Sequence, residues 1–154
     1  IPKVLGNPLN LEYVSAARQA GYRWKARVLV VDDNRINLTV ATSLLEHFGI
    51  SCDEARSGEQ AIELARETRY DLIFMDHIMP GMDGIEATRL LRDSSLHNKE
   101  VPIIAFTANA QIKAHSFFLL SGMNDVLAKP IDINMMQAIL YKWLPESTRT
   151  DPEG

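Results

Sequence analysis

The 154-residue chain has one cysteine, Cys52, so no disulfide can form within it; a disulfide-built scaffold is excluded and a reducing, cytoplasmic setting suits it. It has no basic run. Its 16 Lys and Arg stand against 20 Asp and Glu, for a net charge of −4, which argues against nucleic acid or direct membrane contact. No apolar stretch approaches the roughly 18–20 residues that a membrane-spanning helix needs, and the first residues lack the layout of a signal peptide. There is no Gly-rich phosphate loop of the kind a nucleotide-binding domain carries after its first strand; Asp32-Asp33-Asn34-Arg35 stands there instead. His47, His97 and His115 lack metal-ligand spacing, and the methionines read as core filler. The chain begins at Ile1 rather than Met, as expected of a piece of a longer protein whose other parts are free to be membrane-bound.

What is present is an ordinary domain composition, 46% hydrophobic and 23% charged, at a length sufficient for one core. From Arg27 onward, short apolar runs alternate with helical patterns, the signature of a parallel α/β sheet. Strands are expected at 28–31, 51–55, 72–76, 102–106 and 125–128, the first a continuous apolar run suited to burial on both faces. The first helix, over 35–48, is expected to bury a stripe of Val40, Leu44, Leu45 and Phe48 and to stop at Gly49. Ser57 and Asp83 open the next two helices with capping-box spacing, the first of these with Ile62, Leu64 and Ala65 on its apolar side. A helix over 110–120 follows, and Asp132 caps a last one that Pro145 ends. Five strands and five helices in alternation predict a flavodoxin-like, doubly wound parallel sheet in strand order 2-1-3-4-5.

In such a sheet, ligands sit at the carboxyl ends of the strands, beside the point where strand order reverses. That edge gathers Asp32, Asp33, Asp76, Thr107 and Lys129. An Asp-Asp pair beside a third carboxylate is unfavourable unless a cation is present, and a hard divalent ion with oxygen ligands relieves it. Two or three carboxylates and the backbone carbonyl of Ile78 would suit Mg2+, with Mn2+ as a substitute. Asp76 is then a nucleophile for an acyl phosphate, Lys129 a point charge for phosphoryl oxygens and Thr107 a hydroxyl donor. His77, next to Asp76 on an alternating strand, should point away from the site.

Four pieces resemble the receiver domain of two-component response regulators. They are Val30-Val31-Asp32-Asp33-Asn34, Met75 to Gly84, Ala105-Phe106-Thr107-Ala108 and Ala128-Lys129-Pro130. The resemblance covers about residues 27–145. It implies Asp76 as acceptor of a phosphoryl group from a histidine kinase or histidine phosphotransfer domain, Asp32 and Asp33 as the acid pair, Thr107 as switch hydroxyl and Lys129 as phosphate contact. The pattern around Asn34 and Asn109 is most similar to receivers fused to hybrid histidine kinases. It also implies a cis bond between Lys129 and Pro130. Receivers commonly carry an aromatic switch residue where this chain has Val126, so a modest conformational response is expected. Ala108, Asn109 and Ile78 flank the site, and an apolar Ile78 is expected to hinder hydrolytic water and slow loss of the phosphate. A metal-dependent phosphohydrolase would want an acid two residues past Asp76, where Ile78 stands.

Ile36, taken to lie off the Val40–Leu44 stripe, is read in two ways: with Pro130 and Ile131 as an apolar docking patch for a partner helix, or packed under the loop after the last strand. Residues 1–26 read as a linker with some helix, or as a segment whose Leu11, Val14 and Tyr22 or Trp24 pack on the domain or on a second copy; a weak dimer is compatible with this. Residues 146–154 read as a tail too short for a DNA-binding module.

Overall fold

The computed structural model describes residues 21–94, 97–108 and 112–150. Strand β1 (Arg23–Trp24) precedes β2 (Arg27–Val31), and helix α1 (Arg35–His47) follows. Then come β3 (Ser51–Ala55), α2 (Gly58–Glu67), β4 (Leu72–Asp76) and α3 (Gly84–Ser94). The remainder is β5 (Ile103–Thr107), α4 (Ile112–Leu120), β6 (Asp125–Ala128), α5 (Ile133–Trp143), a 3-10 turn (Glu146–Thr148) and β7 (Arg149–Thr150). Five strands pair in parallel in the order β3-β2-β4-β5-β6, the expected 2-1-3-4-5 arrangement. The central strands β4 and β5 are buried along their whole length, consistent with helices on both faces.

Side-chain caps set where the helices begin. Asn34 Oδ1 accepts from the backbone N–H groups of Ile36 and Asn37, Ser57 Oγ from Gln60, Asp83 Oδ1 from Glu86, and Asp132 Oδ1 from Asn134 and Met135. Gly49, at φ 81°, turns the chain out of α1 in the left-handed conformation. Two apolar clusters fill the space on either side of the sheet. One joins Val28, Val30, Phe74, Ile104, Phe106 and Leu127 to α1 and α5; the other joins Leu29, Val31, Ile73, Met75 and Ala105 to α2, α3 and α4.

Two details differ from the sequence-based expectation, and a third, at Trp24, decides between two readings of the first segment. The buried stripe of α1 is Leu38, Ala41 and Leu45, continued by Phe48, whereas Val40 is 42% exposed and Leu44 only half-buried. Ile36, Val40 and Leu44 are spaced four apart, so Ile36 lies on the Val40–Leu44 row rather than off it, and that row faces outward. On α2, the buried positions are Gly58, Ala61 and Ala65, with Ile62 and Leu64 only partly covered, because close packing of α2 on α3 favours small residues. Trp24 is 1% exposed within the first apolar cluster, edge-on to Phe48, and its strand pairs antiparallel with Arg149–Thr150. The packed unit thus includes Tyr22 to Trp24 on one side and Arg149 and Thr150 on the other. Leu11 and Val14 lie outside the described residues.

Candidate functional site

The strand order brings the ends of β2, β4, β5 and β6 to one edge, and with them Asp32, Asp76, Thr107 and Lys129. Ligand oxygens of Asp32, Asp33 and Asp76 all lie within 4.8 Å of one another. Asp32 and Asp76 are buried, and Asp33 is half-buried. Lys129 Nζ stands 2.8 Å from Asp32 Oδ2 and donates to Asp76 Oδ1 at 3.0 Å. The Lys129 backbone N–H donates to the Thr107 carbonyl at 2.9 Å, and the Lys129–Pro130 bond is cis, as the resemblance implies.

Backbone groups fix the carboxylates. The N–H of Asp32 donates to the Ala55 carbonyl, and Asp32 Oδ1 accepts from the Asn34 N–H at 2.9 Å. Asp76 is held from behind by Gly84, whose N–H donates to the His77 carbonyl at 2.8 Å. A Cβ at Gly84 would run into the Asp76 carbonyl oxygen, so only glycine lets α3 start this close to the strand end.

Burial is the main reason that the Asp76 carboxyl is pushed up to about 6 from its ordinary 3.8; the Lys129 hydrogen bond opposes it, and the Asp32 charge adds to it. For Lys129, burial alone would lower the ammonium, but hydrogen bonds and charges from Asp32 and Asp76 outweigh it and hold it above its ordinary value. Three carboxylates and one ammonium leave a formal −2 in a largely buried ring of oxygens. A hard divalent cation fits that donor set and that charge, and these carboxylates are the groups that would hold it. The position two residues past Asp76, where a phosphohydrolase would carry an acid, holds Ile78, an apolar side chain 73% exposed.

The other expected residues fall as follows. Thr107 is buried at the end of β5, Ala108 is exposed beside it, and Asn109 lies outside the described residues. Val126 is half-buried against the second apolar cluster. Ile36 is 72% exposed and Pro130 is exposed, whereas Ile131 packs partly onto the core, so only part of the expected docking patch is open. His77 makes ring contacts with Phe117 and Phe118 of α4, at 5.9 Å and 5.0 Å between centroids. Two neighbours were not foreseen. Arg56 Nη2 donates to the Asp33 carbonyl at 3.4 Å, and the Phe106 ring lies 4.7 Å from Lys129 Nζ. Neither has a sequence signal, because each depends on how adjacent strands align laterally.

Comparison with known proteins gives the same reading. A family profile described as the response regulator receiver domain matches residues 28–141. The sensor protein GacS of Pseudomonas syringae pv. syringae is 38% identical over 119 residues, covering 76% of this chain and 13% of GacS. The receiver domain of the sensor histidine kinase PA1611 from Pseudomonas aeruginosa PAO1, solved with a magnesium ion in its active site cleft, is 40% identical. It superposes with a TM-score of 0.71 over 77% of this chain and 97% of that one. The receiver domain of the Saccharomyces cerevisiae response regulator Ssk1, solved with the histidine phosphotransfer protein Ypd1, is 33% identical. Its TM-score is 0.71 over 79% of this chain and 90% of that one. The chain spans 20% or less of the length of curated relatives such as GacS. With four strand ends delivering the acid ring and its lysine, and with the profile spanning nearly the whole sheet, the chain belongs to the response regulator receiver domain family.

Proposed function

We propose that Asp76 accepts a phosphoryl group from a phosphohistidine on a kinase or phosphotransfer domain. The observation that carries this is the Asp76 carboxylate, buried at the end of β4, within an acid ring and 3.0 Å from the Lys129 ammonium. An Asp76 carboxylate oxygen attacks phosphorus, the phosphorus–nitrogen bond of the donor breaks, and the imidazole nitrogen leaves with the electron pair. The product is an aspartyl phosphate. Asp32, Asp33, Asp76 and the Ile78 backbone carbonyl would hold magnesium, or Mn2+ in its place, which would neutralise the phosphoryl charge. Lys129 then passes from its two carboxylates to a phosphoryl oxygen, and the Thr107 hydroxyl donates to another. A half-buried Val126 has no ring to swing, so readout falls on Thr107 and on the segment between β5 and α4. One charge-assisted hydrogen bond, about 1.5–3 kcal/mol, supports a partial population shift rather than the roughly 5.5 kcal/mol needed for an all-or-none one. Ile78, two residues past Asp76, is exposed, and its apolar side chain limits access of water to this phosphate. Likeness to the sensor protein GacS supports a place for the chain within a hybrid histidine kinase that relays phosphoryl groups.

The donor side is read from α1. Ile36 and Val40 form an exposed apolar row at the helix that starts beside Asp32, with Pro130 close to the same edge. A partner helix that lays an apolar face there would bring its phosphohistidine to Asp76. The test compares two donors. Ile36→Asp is expected to slow transfer from a phosphorylated histidine phosphotransfer protein about tenfold, as loss of one central interface anchor does, while uptake from acetyl phosphate is unchanged. Equal loss with both donors would assign Ile36 a structural role.

A further inference from the structure

The geometry points to Phe106 as a positioning residue for the phosphoryl-binding ammonium, an inference that rests on the phosphoacceptor reading above. Lys129 carries its charge on a flexible four-carbon stem. Asp32 and Asp76 hold Nζ at 2.8 Å and 3.0 Å, and on the phosphoacceptor reading both carboxylates take other partners, the metal and the phosphoryl group, when the site is loaded. An ammonium held by them alone would then be free to leave through the exposed part of its path. The Phe106 ring is a third attractor. Nζ sits over it, 4.7 Å from the centroid, inside the range in which the negative face of an aromatic ring attracts a cation.

The ring is well fixed for this task. Phe106 is 1% exposed, part of the first apolar cluster, and stands in register between Asp76 on β4 and Leu127 on β6. The base of the lysine is fixed to the same strand, since its N–H donates to the carbonyl of Thr107, the next residue. Both ends of Lys129 are thereby referred to β5, the strand that also carries Thr107. The ring carries no net charge and does not compete for metal or phosphoryl oxygen, so its hold persists through the change of partners. An aliphatic residue of similar bulk would fill the core but lack the quadrupole. Phe106 touches the ammonium and acts on the phosphoryl group only through it.

Fluorinated phenylalanines separate this role from plain packing, because they keep the shape of the ring and weaken its negative face stepwise. With mono-, di- and trifluorophenylalanine incorporated at position 106 of the full chain, the initial rate of phosphoryl uptake from acetyl phosphate with magnesium should fall in step, by about fivefold at the last. Thermal melts should stay with the wild type. In the metal-free protein, the ε-methylene protons of Lys129 should show an upfield ring-current displacement that Phe106→Leu abolishes. A flat rate across the series with a competent wild type, or Lys129 ε-protons at their random-coil position, would overturn the inference. Failure of the wild type itself to take up phosphate would overturn the phosphoacceptor reading, and this one with it.

Discussion

Asp76 shows how one residue is set for its chemistry by what surrounds it. Burial and the neighbouring Asp32 charge push its carboxyl up to about 6, so the metal-free fold holds that proton more tightly than the unfolded chain does. A group with a raised folded-state value stabilises below its unfolded value and loses that contribution as pH rises through about 6. The displacement from 3.8 corresponds to about 3 kcal/mol as an order of magnitude. Asp76→Asn, measured by urea unfolding with a chelator present, should therefore be the more stable protein at pH 8, with an advantage that grows between pH 4 and pH 6 and is level above. Magnesium should stabilise the wild type and narrow the gap. The members of the site were legible in the sequence, because aspartates, a threonine and a lysine at the ends of apolar runs can meet only if those runs are neighbouring strands. The Phe106 ring was not, since a phenylalanine in a strand reads as core whether or not an ammonium lies on its face.

At the scale of the elements, the strand ends deliver the side chains and the helix starts lock them in place. Gly84 is the sharpest case. The composition of the 79–84 stretch indicated a loop, but the need for glycine at its last position comes from the Asp76 carbonyl, which occupies the space of a side chain there. Gly84→Ala should displace the backbone of Asp76 and His77, lowering the melting temperature by several degrees and phosphoryl uptake about tenfold or more, as an ångström-scale misplacement of a reacting group does. A melt and an uptake assay on the same sample check both. Helix α1 shows where periodicity runs out. It is apolar along two adjacent rows, Ile36-Val40-Leu44 and Leu38-Ala41-Leu45, and a helical repeat cannot say which row meets the sheet. The row left outside is the one next to the acid ring, which is why it is the row proposed for docking.

The whole molecule is larger than the alternating pattern of strands and helices. Trp24 fills the first apolar cluster, and the pairing of Arg23–Trp24 with Arg149–Thr150 closes the ends of the domain together. Arg149 stacks over both Tyr22 and Tyr141, at 4.9 Å and 4.6 Å to the ring centroids, joining that pairing to α5. Nothing in the local sequence separates such a tryptophan from one in a linker, because a two-residue strand has no period to read. Trp24→Ala should cost about 3–5 kcal/mol in urea unfolding, as for other large-to-small changes in a core; a cost near zero would place Trp24 in a linker. The central claim, that this receiver domain captures phosphate on Asp76, is tested most directly on the intact chain. After incubation with magnesium and acetyl phosphate, the mass of the wild type should rise by one phosphate while that of Asp76→Asn stays unchanged. A wild type that stays unmodified, or an Asp76→Asn variant that gains the same phosphate, would contradict it.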